Sequence, residues 1–114
     1  MKLATLFEDG WELDDGAKVH KEHPRTFYMP PVWLRYLLRG GSIVKLMFRI
    51  GLRDDLGREY EEVERMWVIV ERRLSAKKYL GVLDNDPYCT KSISSGMRVV
   101  FEPRHVIQIR RNES

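Results

Sequence analysis

A chain of 114 residues, 43% hydrophobic and 32% charged, fits one globular domain with its own core and excludes wholesale disorder. Its net charge of +3 is too small to commit it to a polyanion, and its single cysteine, Cys89, excludes an internal disulfide and a cysteine-based zinc site. No stretch approaches the roughly 20 apolar residues of a membrane span. The apolar patch after Met1 ends at Asp9 and Gly10, too early for a signal peptide, so a cytoplasmic protein without membrane contact is expected.

Residues 1–28 show little periodicity and read as an irregular N-terminal segment. Leu3, Leu6 and Phe7 are available to the core. Asp14 or Asp15 can cap a short helix through Lys21, which Gly16 weakens and Pro24 ends. The segment 30–39 predicts the best helix of the chain. Pro30 and Pro31 suit a first turn, Leu34, Leu37 and Leu38 follow at helical spacing beside Trp33, and Gly40 or Gly41 offers a left-handed cap.

Residues 42–110 read as a strand-rich core. From Ser42 to Arg53, Val44, Leu46, Phe48, Ile50 and Leu52 alternate with more polar positions, as in a strand with one buried face. Asp54-Asp55-Leu56-Gly57 is a turn, and a long return strand follows from about Glu59 to Arg72. Its charged start projects past the core, while Met66 to Val70 is apolar on both faces and belongs centrally in the sheet. Lys78–Leu83 is a third strand, with Gly81 marking a bulge or bend. Asp84-Asn85-Asp86-Pro87 opens a loop to Gly96, and Met97–Phe101 and His105–Arg110 are two further strands. Short links favour antiparallel neighbours. The expectation is a single α+β domain over 1–114: about five strands, mostly antiparallel, in a strongly curled, small-barrel-like sheet packed with one or two short helices.

Pro30-Pro31, Gly41–Phe48, Glu64–Val68, Gly81–Pro87, Gly96–Phe101 and His105-Val106-Ile107 together resemble the YegJ-like family, a bacterial domain of unknown function. The resemblance covers residues 24–109 and rests mainly on the Trp67 strand and the Leu83–Pro87 turn. It implies a small α+β domain with an interaction role and carries over no catalytic residue.

Candidate chemistry is sparse. Asp84 and Asp86 are hard-cation oxygens, yet Asx residues closing a turn explain them better. His20, His23 and His105 with Cys89 lie too far apart in sequence for a metal set, and neither Cys89 nor Ser92, Ser94 or Ser95 has a nucleophile context. Isolated Gly40-Gly41 and Gly96 make no phosphate loop. Trp11, Trp33 and Trp67 read as core, and Tyr28, Tyr36, Tyr60 and Tyr88 as partly exposed.

Charge is more informative. Between Arg53 and Glu64 six acids face two arginines, a balance of −4, whereas 71–78 and 98–111 each carry +3. No cofactor or metal is expected. The leading expectation is a non-enzymatic protein-interaction module, immunity-type or regulatory, whose partner surface is Asp54, Asp55, Glu59, Glu61 and Glu62 with Asp84, Asn85, Asp86 and Tyr88. One alternative is a nucleic-acid-binding small barrel using Arg72, Arg73, Lys77, Lys78, Arg110 and Arg111. Another is a small-ligand protein or enzyme with a site near Asp84 and Asp86. Partner identity and oligomeric state are not written in the sequence.

Overall fold

The computed structural model describes residues 1–110, and Arg111 lies outside them. The frame is a long antiparallel hairpin of β2 (Ile43–Arg53) and β3 (Glu59–Ser75), in register from Ile43 opposite Ile69 to Arg53 opposite Glu59. The alternation of β2 dictates its buried face. Val44, Leu46, Phe48 and Ile50 join Met66, Val68 and Val70 in one core. The Asp54 carboxylate closes the turn by accepting the Leu56 and Arg58 backbone N–H groups, and Gly57 takes the left-handed position at φ 77°.

β4 (Lys78–Leu83) pairs with the second half of β3, and β5 (Arg98–Phe101) pairs with β4. β1 (Trp11–Leu13) and β6 (Gln108–Arg110) share the other edge of β2, with Trp11 opposite Ile50 and Arg110 opposite Ile43. The result is an antiparallel α+β sheet curled into a half-barrel. Register shifts in β3 between Val70 and Arg72, and between Arg73 and Ser75, add to the bend. Gly81 stands opposite Val70, where a Cβ would come within 2.5 Å of a Val68 methyl carbon and 2.9 Å of the Ile69 carbonyl. Only glycine lets the two strands approach that closely.

Three short helices complete the described residues: α1 (Leu6–Asp9), α2 (Gly16–Glu22) and α3 (Val32–Arg35). The N-terminal segment is therefore less irregular than its pattern predicts, since it holds α1, β1 and α2. Asp15 caps α2 by accepting the Lys18 N–H. Gly16 packs closely there: a Cβ would sit 2.7 Å from an Ile107 methyl carbon and 2.9 Å from the Met29 sulfur, so those side chains would have to shift.

The helix expected over 30–39 is a single turn. Continuation needs the Arg35 carbonyl to accept the Arg39 N–H. The Tyr79 hydroxyl takes that carbonyl at 3.1 Å, while the Arg39 N–H donates to Ser42 Oγ at 3.3 Å. The strand expected from His105 also begins later. Pro103–His105 is a 3-10 turn, closed by the Glu102 N–H donating to His105 Nδ1 at 2.9 Å. His105 is buried, and loss of solvent pushes its pKa down to about 4, helped by neighbouring Arg104.

Candidate interaction surfaces

β3 sorts the charge of the molecule along its length. It begins in acids at Glu59–Glu64 and ends in bases at Arg72 and Arg73, with the Met66–Val70 core segment between. β3 therefore separates the acidic 54–64 segment from the basic 71–78 segment along a body whose longest extent is 47 Å, whereas Arg104 of the second basic segment pairs with Asp15 at 3.2 Å.

At the acidic end, three of the expected partner-surface carboxylates are held by arginines. Asp54 pairs with Arg58 at 3.0 Å, Glu59 with Arg53 at 2.8 Å and Glu61 with Arg49 at 3.2 Å. Backbone N–H donation from Arg58, with its guanidinium, holds the Asp54 carboxyl below the usual range. Asp55 and Glu62 make no ion pair among the described residues, so they carry the outward negative charge. Arg49 also grips Asp14 through two bonds of 2.9 and 2.8 Å, tying the end of β1 to the hairpin.

The sequence gives no sign of the groove at this end. It holds about 510 Å³ between α1 and the hairpin, and Leu6, Leu52 and Tyr60 supply its apolar walls beside Arg53, Glu59 and Glu61. α1 reaches it because the Gly51 N–H donates to the Gly10 carbonyl at 2.9 Å. On α1 the next side chain, Phe7, is 98% exposed. Tyr60, Val63 and Leu56 are exposed on the same hairpin.

Asp84, Asn85, Asp86 and Tyr88 belong to a separate loop, and most of their polar groups build it. The Asp84 N–H donates to the Trp67 carbonyl at 2.9 Å, and Asn85 Oδ1 accepts the Trp67 N–H at 2.5 Å. Asn85 thus extends the β3–β4 ladder with a side-chain amide. Asp86 accepts the Ser95 N–H at 2.8 Å. Glu64 accepts the Tyr88 and Cys89 N–H groups, each at 2.9 Å. Burial would raise the Glu64 carboxyl, but donation from the Cys89 thiol and these N–H groups outweighs it and holds the pKa below normal. The Cys89 thiol moves the other way: burial, then the Glu64 charge, push it up to about 12. A thiol so held is a poor nucleophile. Tyr88 alone in this loop offers a fully exposed ring.

His20, His23, His105 and Cys89 form no cluster, and among the described residues no three His, Cys, Asp or Glu groups are placed to hold a metal ion. His20 Nδ1 instead meets the Phe27 carbonyl at 2.6 Å.

The described bases of the nucleic-acid alternative, Arg72, Arg73, Lys77, Lys78 and Arg110, lie toward the opposite end. One of them already has structural work. Arg73 donates to the Tyr36 carbonyl, to the Ala76 carbonyl at 3.0 Å and to the Tyr79 hydroxyl at 2.7 Å, and Lys78 is half-buried. Arg72, Lys77 and Arg110 remain exposed, and Arg39, which the charge pattern did not single out, joins them. Trp33 also departs from the sequence reading, being 64% exposed where core was expected. With α3 cut to one turn, only its Arg35 side faces inward.

No helix is long and apolar enough to cross a membrane among the described residues. No family model, curated protein or solved structure matches the chain.

Proposed function

We propose that this chain is a non-enzymatic protein-interaction module, working in the cytoplasm, whose acidic β2–β3 end receives a basic partner. The observation that carries this reading is the groove walled by Leu6, Leu52 and Tyr60 with Glu59 and Glu61 at its lining, on an end that also exposes Phe7 of α1 and the carboxylates Asp55 and Glu62. Apolar anchors inside a charged rim are what transient protein interfaces use: burial gives affinity, and the rim steers approach. The loop chemistry is in keeping with it, because Glu64, Asn85 and Asp86 are spent on holding backbone and Cys89 is kept protonated. The likeness of the Trp67 strand and the Leu83–Pro87 turn to the YegJ-like family points the same way. In an immunity-type version, the hairpin end would lie over a toxin's basic active site. In a regulatory version, it would cover a basic docking surface.

The test is charge reversal at Asp55 and Glu62, two exposed carboxylates of the hairpin end that make no ion pair among the described residues. Reversal there weakens partner binding and flattens its salt dependence, whereas Arg72→Glu at the far end leaves both in place. Binding that ignores Glu62→Lys and Phe7→Asp removes this surface from consideration.

A further inference from the structure

The end of the half-barrel opposite the hairpin carries a second apolar surface with the reverse charge. On α3, Val32, Trp33 and Leu37 are 59, 64 and 66% exposed. A groove of about 500 Å³ runs between this turn and β6, with Pro30, Leu34, Leu37, Leu38 and Ile109 among its walls. Clustered exposed apolar side chains around a concavity mark docking sites, whereas scattered ones do not.

The wall is built to hold its shape. Arg35 is buried and donates to the Pro30 carbonyl at 2.9 Å and the Pro103 carbonyl at 3.1 Å. Tyr79 holds the Arg35 carbonyl, and Arg73 holds that of Tyr36. The surrounding charge is positive. Arg39 lines the groove, and Arg110 is exposed on the opposite face of β6 from Ile109. The Gly41 N–H donates to the Val70 carbonyl at 2.8 Å, which sets the end of the α3 segment beside Glu71, Arg72 and Arg73.

We infer that this groove docks an acidic polypeptide segment carrying a bulky apolar side chain. That side chain sits among Leu34, Leu37, Leu38 and Ile109, and a flanking carboxylate faces Arg39, with exposed Arg72 adding positive charge at the same end. A nucleobase fits less well. Tyr28 is the one aromatic ring among its lining residues, beside the aliphatic Pro30, Leu34, Leu37, Leu38 and Ile109, whereas single-strand binding relies on a series of stacked aromatic rings. The inference is independent of the acidic-end reading.

The experiment pans two random peptide libraries, one biased to Asp and Glu and one to Lys and Arg, against the full chain. Leu37→Asp, Arg39→Glu and Glu62→Lys variants serve as counter-screens. Leu37 and Arg39 are exposed, so both groove variants should fold, with circular dichroism as the check. Expected is enrichment of acidic peptides bearing Leu, Phe or Trp, whose affinity falls at least about tenfold in Leu37→Asp and in Arg39→Glu. Their affinity stays unchanged in Glu62→Lys, which reports on the other end alone. Equal enrichment from the basic library, or acidic peptides indifferent to Leu37→Asp, would overturn the inference. So would oligo-dT binding that Leu37→Asp abolishes while no peptide is enriched.

Discussion

The Tyr79 hydroxyl donates to the Arg35 backbone carbonyl across 3.1 Å, and the same oxygen accepts the Leu38 N–H and the Arg73 guanidinium. One core side chain thereby ends α3 after a single turn and fixes the wall that exposes Trp33 and Leu37. Tyr79→Phe keeps the ring stacked on Phe101 but leaves the Arg35 carbonyl and Leu38 N–H without a partner. Expected is a loss of about 1–3 kcal/mol in chemical denaturation, with an unchanged m-value. An undiminished midpoint would show that another donor replaces the hydroxyl.

His105 makes stability depend on pH. It is neutral in the fold, with its pKa lowered from 6.5 to about 4, so the unfolded chain binds more protons between those values. Stability therefore rises with pH through this window and falls as pH drops from 6.5 toward 4. The loss amounts to roughly 3 kcal/mol if His105 acts alone. Urea titrations at stepped pH check it against His105→Asn, whose Oδ1 can take the Glu102 N–H. The variant should lose the part of the slope nearest pH 6, where few carboxylates titrate.

Gly81 is a contact in its own right. In Gly81→Ala the new methyl must move Val68 and the Ile69 backbone, which the β3–β4 ladder holds in place. The expected cost is about 1–3 kcal/mol. Gly10→Ala gives the contrast: space is open there, and the cost comes only from its φ of 78°.

Cys89 should be slow to alkylate. With its pKa near 12, about one thiol in 10,000 is ionised at pH 8. Iodoacetamide labelling of the folded protein should run on the order of a thousandfold slower than that of the unfolded chain. Glu64→Gln removes the nearest negative charge and should speed labelling. A fast-reacting native thiol would reopen nucleophilic chemistry at this loop.

The sheet was legible because its signals are local. The alternation of Val44 through Leu52, the Asp54–Gly57 turn and the Lys78–Leu83 strand all stand in the structure. Long-range events were not legible. The Tyr79 hydroxyl that stops α3 lies 41 residues from the Leu38 N–H it accepts. β1 forms because Trp11–Leu13 finds a free stretch of β2 edge, which no pattern within those residues announces. His105 looks like a strand residue until Pro103 is seen to open a 3-10 turn. For the surfaces, charge segregation was readable from Glu59 to Lys78. The exposure of Phe7 and Trp33 was not, because in sequence an aromatic beside leucines looks the same inside or out.

The most direct measurement is affinity capture from the native host, with the captured protein then titrated by calorimetry at stepped ionic strength against wild type, Glu62→Lys and Arg72→Glu. Expected is a stoichiometric basic partner that survives nuclease treatment, whose affinity falls with salt and drops in Glu62→Lys but not in Arg72→Glu. A partner whose binding ignores Glu62→Lys, or recovery that vanishes with nuclease, would contradict an acidic protein-docking end.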